Sequence, residues 1–367
     1  MNKTVRIEAD VLEKFMRDVF IALGVSAPDA AICAEVLIAA DKRGIDSHGI
    51  ARLKKIYYDR IKSGIQKTTA ECRIIRETSG TALIDGADGM GHAIAKKAMD
   101  IAIKKAQVCG IAMTAVKNST HYGIAGYYVM QAVDADMVGI TGTNARPSVA
   151  PTFGCENMLG TNPLTFGIPT DEEFPFVLDC ATSLAQRGKI EVYASLSKKV
   201  PTGWVIGEDG KTKTDAAAIL EDLVKGSAAL APLGGIGEEG AGYKGYGYAT
   251  VVEILSAAFQ NGPFLKMLLG IKDGREVPFH LGHFFIAINI AAFIEPHEFK
   301  KTAGDILRTL RSSKKARGEK RIYTAGEKEH LIWLERKEKG IPLTEKTREE
   351  MVQMREELHL AGYDFLF

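Results

Sequence analysis

The stretch "GIAMTAVKNSTHYGIAGYYVMQAVDADMVGITGTN", which covers residues 110–144, decides the fold class. Its first part, GIAMTAV, and its last part, MVGITGTN, are short apolar runs that predict two strands. The part between them, GIAGYYVMQAVDA, has the length and apolar spacing that favour a helix. Strands that alternate with helices are typical of an α/β domain. We therefore predict an α/β fold for the middle of the chain.

The neighbouring segments extend this pattern on both sides. ECRIIRE and TALIDG predict a hairpin around Ser79–Gly80, and LTFGIP and FPFVLDCA predict two further strands. The apolar run FFIAINIAAFI (residues 284–294) predicts a buried strand, because it is too short to span a bilayer. GWVIGEDGKTKT predicts an exposed hairpin with Asp209–Gly210 at its turn, and GYATVVEILSAAFQ predicts a long helix.

The two ends of the chain have a different pattern from the middle. The first 65 residues predict three helices, and the last 65 are helical in pattern and highly charged. We expect a helical segment at 1–72 that packs with a helical segment at 300–367. The region 73–299 then forms the α/β domain, with a helical and loop insertion around 183–262.

Composition excludes several classes of function. The chain has 367 residues and a net charge of +1, which gives no indication of a nucleic-acid partner or an anionic membrane surface. Its five cysteines form no CxxC pair, so reduced thiols in the cytoplasm are expected rather than disulfides or a zinc finger. The charged N-terminus lacks the apolar stretch of a signal peptide.

A first candidate site lies at "KRGIDSHGIARL", residues 42–53. Asp46 or Ser47 is expected to cap a third helix, which would place His48 in its first turn. His48 and Arg52 then share the face opposite the apolar stripe of that helix. Such a face is either solvated surface or an anion site, because a helix start and a guanidinium both attract negative charge. At an anion site a histidine can move a proton.

Further histidines have two interpretations each. His121 follows a strand in STHYG, at a place where loops often carry catalytic groups, although it can equally bond a nearby backbone carbonyl. His280 and His283 in HLGH have a spacing found in some metal sites. No third histidine or carboxylate follows at a spacing typical of a metal site, so we expect both to be ordinary solvated or buried histidines.

Two glycine-rich segments are candidates for a phosphate or cofactor site. GGIGEEG (residues 234–240) matches GxGxxG, but it follows a poor strand and no second strand comes at the right distance. An ordinary Rossmann domain is therefore rejected. Lys244, which lies between glycines just before a helix, is better placed to meet phosphate or carboxylate. The irregular segment 143–169, which contains two TN dipeptides, is either a functional or a plain surface loop.

Six motifs occur in order along the chain: RGIDSHGIARL, NSTHYGIAGYY, TNARPSVAPTFG, LGTNPLTFGIP, FVLDCATS and GYKGYG. Together they resemble the type 2 malate/L-lactate dehydrogenase family, which also includes ureidoglycolate, sulfolactate and diketogulonate dehydrogenases and cyclic-imine reductases. The resemblance covers about residue 5 to about residue 345. It implies a non-Rossmann fold with a mixed central sheet and flanking helices, and a homodimer or higher homo-oligomer. It also implies an NAD(P)-dependent oxidoreductase of small 2-hydroxy and 2-oxo acids, with its cofactor site in the α/β domain.

The resemblance also implies roles for particular residues. His48 and His121 match the histidines that move the proton or contact substrate, and Arg52 matches the arginine that holds the substrate carboxylate. Ser47 and Thr161 are expected beside the substrate. The expected cofactor contacts are Leu178, Asp179, Cys180, Ala181, Thr182, Tyr243, Lys244, Gly326, Glu327 and Lys328. No metal site is expected.

The chemistry of the implied reaction agrees with these residue types. Oxidation of a 2-hydroxy acid needs a base for the hydroxyl proton, a cation for the carboxylate and a fixed carbon for hydride transfer. We expect His48 and His121 to flank the hydroxyl, with one of them carrying the proton, and Arg52 to anchor the carboxylate. Asp46 is expected to orient His48 or to cap the helix.

Several alternatives remain open from the sequence. Malate or L-lactate is the expected substrate, with another 2-oxo acid or a cyclic imine as the alternative. NAD is the expected cofactor, with NADP as the alternative, because Gln186–Arg187 departs from the family pattern. Two other classes are a metal-dependent hydrolase built on His48, His121, His280 and His283, and a binding protein without catalysis.

Overall fold

A computed structural model of the chain describes residues 5–365. Within that range the strands are β1 (Val5–Ile7), β2 (Arg73–Glu77), β3 (Thr81–Asp85), β4 (Ile111–Ser119), β5 (Met137–Thr143), β6 (Leu164–Ile168), β7 (Phe176–Cys180), β8 (Val205–Gly207), β9 (Ala228–Leu230), β10 (Ile271–Lys272), β11 (Arg275–Glu276), β12 (Leu281–Asn289) and β13 (Ile341–Leu343). The α-helices are α1 (Ala9–Ala22), α2 (Ala27–Lys42), α3 (Ile50–Arg52), α4 (Asp59–Lys62), α5 (Gly91–Cys109), α6 (Gly126–Asp134), α7 (Arg187–Ser195), α8 (Ala216–Lys225), α9 (Gly242–Ala257), α10 (Pro296–Ser312), α11 (Glu327–Lys339) and α12 (Glu345–Glu357). A π-helical segment, Leu53–Tyr58, joins α3 to α4.

A seven-stranded sheet forms the centre of the molecule, in the order β2-β3-β4-β12-β5-β6-β7. β3 and β4 are parallel, and the other neighbouring pairs are antiparallel. Phe285 of β12 pairs with Thr114 of β4 on one side and with Thr141 of β5 on the other. The predicted α/β fold with a mixed central sheet and flanking helices is therefore confirmed.

Helices cover both faces of this sheet. α5 and α6 pack on the face to which Phe285 and Ala287 point, and they share a core with these residues. α9 packs on β12 from the opposite face, where Gly282 lies against the backbone of Ser256. Because side chains alternate along a strand, the apolar run in β12 is buried from both sides.

The two ends of the chain share one apolar core. β1 pairs with β13, and Phe15 and Phe20 of α1 pack in the same cluster as Met351 and Met354 of α12. α10 is held differently, because Arg308 forms an ion pair with Asp171 in the loop after β6. No helix within residues 5–365 is long and apolar enough to span a bilayer.

Three elements differ from the prediction. The expected hairpin after residue 203 forms around Asp209–Gly210, but its first arm, apolar β8, is buried rather than exposed because it also pairs with β9. The apolar run 284–294 leaves the sheet at Asn289, whose side chain accepts a hydrogen bond from the backbone N–H of Ala291 and starts a 3-10 turn. The long helix α9 starts at Gly242, ahead of the predicted GYATVVEILSAAFQ segment.

Candidate active site

The loop between α2 and α3 carries His48 and is held from both sides. Asp41 in the last turn of α2 accepts a hydrogen bond from the backbone N–H of Ile50 at 2.8 Å. A Cβ atom at Gly49 would lie 1.9 Å from the Asp41 carboxylate, so only glycine fits there without displacement. Asp46 pairs with Arg336 of α11. The loop is therefore fixed by the elements before and after it.

This arrangement corrects two predictions. The N-cap of α3 is Gly49 and its first residue is Ile50, so His48 precedes the helix rather than lying in its first turn. Asp46 and Ser47 do not cap it, because the Asp41 carboxylate takes the Ile50 N–H and Asp46 binds Arg336. The first N–H of α3 is therefore not free for an anion. α3 is a single short turn that continues into the π-helical segment, a form often found at functional sites.

His48 and His121 lie together although they are far apart in sequence. Their ring centres are 5.9 Å apart and their ring planes differ by 20°. Ser47 Oγ lies 2.9 Å from His48 Nδ1, and Arg52 Nε donates to the backbone carbonyl of Ser47 at 2.5 Å. The structure thus brings Ser47, His48, Arg52 and His121 into one cluster, which we call the histidine pair and its arginine.

Two buried residues that the sequence did not single out complete this cluster. The hydroxyl of Tyr57 lies 2.5 Å from His121 Nδ1 and 2.9 Å from His92 Nε2. Both Tyr57 and His92 are buried. Tyr57 belongs to the apolar stripe of the third helix, and His92 lies on the buried face of α5. In the sequence, only the position of a polar ring among apolar residues of a helix face could have indicated Tyr57 and His92.

The start of α5 supports the backbone that carries His121. A Cβ atom at Gly91 would lie 2.3 Å from the carbonyl oxygen of Thr120 and 2.5 Å from that of His121. Thr120 Oγ1 in turn accepts a hydrogen bond from the backbone N–H of Gly91 at 3.0 Å. The absence of a side chain at Gly91 therefore allows this close contact.

Burial changes the proton affinity of the histidines. Burial and, to a smaller extent, the nearby charge of Arg52 lower the pKa of His48 to about 4. Burial lowers the pKa of His121 well below its usual range, and the charges of His48 and His92 act in the same direction. Both rings are therefore neutral at pH 7. Their Nδ1 atoms face Ser47 and Tyr57, and no hydrogen-bond partner within residues 5–365 occupies either Nε2 atom.

A cleft of about 770 Å³ opens between α2, α6, β7 and α11, and its lining does not include Ser47, His48, Arg52 or His121. Ile45 and Ile124, each three residues from one of the paired histidines, line its wall. Leu178, Asp179 and Gly326 also line it, so the structure brings three of the expected cofactor contacts to one cleft. The volume is typical of a site for a small molecule or cofactor.

The lining of the cleft suits the planar rings of a dinucleotide better than its phosphates. The side chains of Tyr127, Phe174 and Trp333 offer aromatic surface for a planar ring. Six carboxylates line the cleft and outnumber Lys42 and Arg43, which themselves face the acids Glu13 and Asp134. The aromatic residues therefore fit a ring of a nicotinamide cofactor, and the lining residues belong to elements from both ends and the middle of the chain.

Asp179 and Cys180 have internal partners. Asp179 Oδ2 accepts a hydrogen bond from the Gly126 N–H at 2.7 Å, and its Oδ1 accepts one from Thr165 at 3.0 Å. Burial nevertheless raises the pKa of this carboxyl. Cys180 donates to the carbonyl of Leu164, and burial raises the pKa of its thiol. At these two positions the side chains hold β7 to its neighbours.

The other expected cofactor contacts gather elsewhere. Thr182, just after Ala181, bonds the backbone of Thr161 through its N–H and its hydroxyl. Leu233 donates to the carbonyl of Thr182, and Gly245 of α9 packs on the backbone of Leu233. Tyr243 and Lys244, in the first turn of α9, are exposed beside this junction. No hydrogen bond joins Thr161 to the histidine pair within the described residues.

The remaining two expected contacts lie at the start of α11. Glu327 is buried and accepts hydrogen bonds from Arg321 and from the backbone N–H of Thr324. Its carboxylate therefore already has partners within the protein. The Lys328 ammonium lies 4.9 Å from the centre of the Tyr323 ring. Neither residue lines the cleft.

The four histidines considered for a metal do not converge. His283 Nδ1 lies 2.7 Å from Thr143 Oγ1 and its ring stacks on Tyr122, whereas His280 pairs with Asp88 at 2.6 Å. In the part of the chain that the structure describes, no group of three or more His, Cys, Asp or Glu side chains is placed to hold a metal ion.

Comparison with known proteins gives consistent matches over almost the whole chain. The family model for malate/L-lactate dehydrogenase matches residues 7–352. The malate dehydrogenase of Pyrococcus horikoshii is 41% identical over 98% of this chain and 97% of its own length. The L-sulfolactate dehydrogenase of Methanocaldococcus jannaschii is 36% identical over 96% of this chain and 97% of its own. The crystal structure of malate dehydrogenase from Entamoeba histolytica superimposes with a TM-score of 0.95 at 44% identity, covering 99% of this chain and 100% of that one.

Proposed function

The chain belongs to the malate/L-lactate dehydrogenase family and is a 2-hydroxy acid dehydrogenase, and from this we propose that it interconverts malate or L-lactate and the matching 2-oxo acid with NAD. The observation that supports the site is the pairing of His48 and His121, with Arg52 beside them. The aromatic-walled cleft, which Ile45 and Ile124 help to line, is the proposed place of the cofactor. NADP, another 2-oxo acid and a cyclic imine are the alternatives within the same family.

The histidine pair supplies the proton chemistry in this proposal. NAD, when bound, accepts the hydride that leaves C2 of the hydroxy acid, and it returns the hydride in the reverse direction. His48 and His121 are neutral at pH 7, so the free Nε2 of one of them accepts the hydroxyl proton as the hydride departs. In the reverse direction the same nitrogen returns the proton to the 2-oxo group. The proton and the hydride thus leave the substrate as it becomes the 2-oxo acid.

Arg52 holds the substrate carboxylate in this proposal. Its Nε is engaged by the Ser47 carbonyl, which leaves the terminal nitrogens of the guanidinium for two parallel hydrogen bonds to a carboxylate. A bound carboxylate also offsets the charge that lowers the pKa of His48. Substrate binding therefore raises that pKa towards the working pH. Ser47 contributes by orienting His48, and Thr161 stays a proposed substrate contact.

The cofactor lies along the cleft in this proposal. Leu178, Asp179 and Gly326 contact it there, and Tyr127, Phe174 and Trp333 offer aromatic surface to one of its rings. Cys180, Ala181 and Thr182 continue the wall of the site beyond β7. Tyr243 and Lys244 complete it from the first turn of α9, and Glu327 and Lys328 act at the start of α11.

We also propose the assembly and the domain division. The outer surface of α9 and the segment after it exposes large apolar side chains, which include Tyr248, Val251, Ile254, Phe259 and Met267. An apolar surface of this kind favours burial against a second copy of the chain, which makes a homodimer. The segments 1–72 and 300–367 form a helical domain around their common core. A cytoplasmic location agrees with five free cysteines in the chain.

A substrate screen tests the function. The purified enzyme is mixed with a panel of 2-oxo acids and either NADH or NADPH, and loss of cofactor absorbance is followed. We expect turnover of oxaloacetate or pyruvate with NADH. Absence of turnover with every acid and both cofactors would contradict the proposal, and chelation of metals should leave the rate unchanged.

Variants of the cluster test the roles of its residues. We expect His48→Ala or His121→Ala to lower kcat by about 100-fold or more, the usual scale for positioned acid–base catalysis. Arg52→Ala should raise the KM for the 2-oxo acid strongly and leave the fold intact. Circular dichroism checks the fold, and Arg73→Ala, on the exposed strand β2, is the matched control. Normal kinetics in all three variants would rule out this site.

A further inference from the structure

Two arginines outside the set considered so far lie at the same end of the sheet as His121. Arg60 in α4 follows Tyr57 by three residues, and its guanidinium carbon lies 4.1 Å from the centre of the Phe279 ring. Phe279 precedes β12 by two residues. At the start of β12, Leu281 pairs with Ser119, two residues before His121. Arg60 thus lies at the end of the sheet where β12 begins and where β4 ends close in sequence to His121.

Arg146 reaches this end of the sheet from the other side of β12. Asn144, just after β5, accepts a hydrogen bond from the Gly282 N–H at 2.9 Å and donates its own N–H to the Gly282 carbonyl at 3.3 Å. Arg146 follows this anchor by two residues. The chain segments that carry Arg60 and Arg146 therefore both lie against the segment from Phe279 to Gly282.

Their charges act on the histidine pair and on each other. Burial lowers the pKa of Arg60, the negative charge of Glu276 opposes this, and the smaller effect of Arg146 adds to it. The charges of Arg52 and Arg60 both help to lower the pKa of His121. Arg52 and Arg60 thus create a positive region beside His121, and Arg146 acts electrostatically on Arg60.

Neither guanidinium group has a direct polar partner in the part of the chain that the structure describes. Within residues 5–365, the guanidinium groups of Arg60 and Arg146 make no hydrogen bond or ion pair. Other arginines of the chain are paired, as Arg336 is with Asp46 and Arg308 is with Asp171. Arg60 is half-buried and Arg146 is exposed, so an incoming anion would recover free energy mainly at Arg60.

We propose that Arg60 and Arg146 form a second anion subsite, which binds the distal acidic group of the substrate. This inference rests on the proposed function. Arg52 then holds the C1 carboxylate, the histidine pair faces the C2 oxygen, and the two further arginines bind a carboxylate or sulfonate at the other end of the molecule. The subsite selects 2-hydroxy diacids of the malate or sulfolactate type over L-lactate, which has a methyl group at that end.

Steady-state kinetics of charge-removing variants test the subsite. Arg60→Gln and Arg146→Gln are expected to raise the KM for oxaloacetate by about 10- to 100-fold, because each removes charged hydrogen bonds to the distal group. The KM for pyruvate and the KM for NADH should change less than about twofold, on the scale of 0.4 kcal/mol. Arg60→Lys should keep part of the preference for oxaloacetate. Arg73→Gln, whose arginine pairs with Glu71 on the surface, is the control.

Two results would overturn the subsite. An equal rise in KM for pyruvate and oxaloacetate would mean that the arginines do not discriminate the distal group. A rise confined to the KM for NADH would assign them to the cofactor phosphates instead.

A binding measurement separates this inference from the proposed function. Calorimetric titration of the enzyme with L-malate or L-lactate in the presence of NADH forms complexes that cannot react. Tight binding of L-malate that Arg60→Gln abolishes would support the subsite even in an enzyme without turnover. Equal affinity for L-malate and L-lactate would refute the subsite even if the enzyme is an active dehydrogenase.

Discussion

At the scale of single residues, the hydroxyl of Tyr57 has one proton but faces two imidazole nitrogens. It can donate that proton to only one ring and must accept an N–H from the other. His121 Nδ1 also accepts a hydrogen bond from the backbone N–H of Gly123 at 3.4 Å, which favours the neutral ring with its proton on Nε2. The proton of Tyr57 strengthens or opposes this preference, according to which of the two rings receives it. Tyr57 is thus a positioning residue.

Replacement of Tyr57 by phenylalanine isolates this effect. Tyr57→Phe should lower kcat by about 10- to 100-fold with little change in KM, because His121 loses the partner that sets its orientation and tautomer. It should also lower the free energy of unfolding by about 1–3 kcal/mol, since two buried nitrogens lose a hydrogen-bond partner. Steady-state kinetics and urea unfolding measure the two quantities.

A second buried tyrosine serves as the control for that change. Tyr128 donates to the backbone carbonyl of Tyr122 at 2.5 Å and has no contact with the histidine pair among its described hydrogen bonds. Tyr128→Phe should lose comparable stability and keep kcat. A Tyr57→Phe enzyme with normal kcat, or a Tyr128→Phe enzyme with an equally reduced kcat, would show that the role of Tyr57 is structural only.

At the scale of elements, the contact between α2 and α3 depends on one carboxylate. Asp41 is buried in the last turn of α2, and its oxygen binds the first N–H of α3. Burial raises the pKa of Asp41 to about 8, although the Ile50 N–H and Arg336 act in the opposite direction. In the folded protein Asp41 therefore keeps its proton up to about pH 8.

This buried acid predicts a pH dependence of stability. In the unfolded chain Asp41 loses its proton near its usual pKa of 3.8, so between about pH 4 and pH 8 the folded state binds more protons. The free energy of unfolding contributed by Asp41 therefore falls as the pH rises through this window. Asp41→Asn keeps an oxygen for the Ile50 N–H but cannot ionise. From pH 5 to pH 8 the variant should gain about 2–4 kcal/mol relative to the natural protein.

Urea unfolding at both pH values measures the difference. Burial lowers the pKa of His92 and of His283 to about 3, which gives a stability loss towards acid pH, but this effect is common to both proteins and cancels. Asp10→Asn, an exposed acid in the first turn of α1, is the control and should follow the natural protein at both pH values. If the free energy of unfolding changed equally between pH 5 and pH 8 in Asp41→Asn and in the natural protein, the prediction would be contradicted.

At the scale of the whole molecule, the candidate site depends on segments from all parts of the chain. β12 arrives late in the sequence yet lies between β4 and β5, and α11 closes the cleft against α2 and β7. β1 and β13 join the two ends. The exposed apolar surface of α9 is left without a cover in the single chain.

A charge on that surface tests the proposed dimer. Ile254→Lys places an ammonium group at a position whose side chain is 54% exposed in the single chain. Burial of an unpaired charge is costly, so we expect the variant to be a monomer in sedimentation equilibrium while the natural protein is a dimer. Val108→Lys, at an exposed valine near the end of α5, is the control and should stay dimeric. A monomeric natural protein would contradict the proposal.

Local patterns were enough to predict most elements of the central sheet. The strands β4, β5, β6 and β7 and the helix α6 lie where the apolar spacing placed them. The start of the third helix was wrong, because its cap comes from Asp41, nine residues before Ile50, and not from an adjacent residue. The hairpin with Asp209–Gly210 at its turn forms as predicted, but the pairing of β8 with β9 was not predicted.

The sequence by itself determined the fold class, the family resemblance and the residue types of the histidine pair and its arginine. It could do so because apolar periodicity and short motifs are local properties. Only the tertiary structure decided that Tyr57 links His121, 64 positions away, to His92, 35 positions away. It also decided that Asp179 and Glu327 are held by internal partners, and that Arg60 and Arg146 make no hydrogen bond or ion pair among residues 5–365. These facts depend on which helices and strand ends pack together, and no local pattern carries that information.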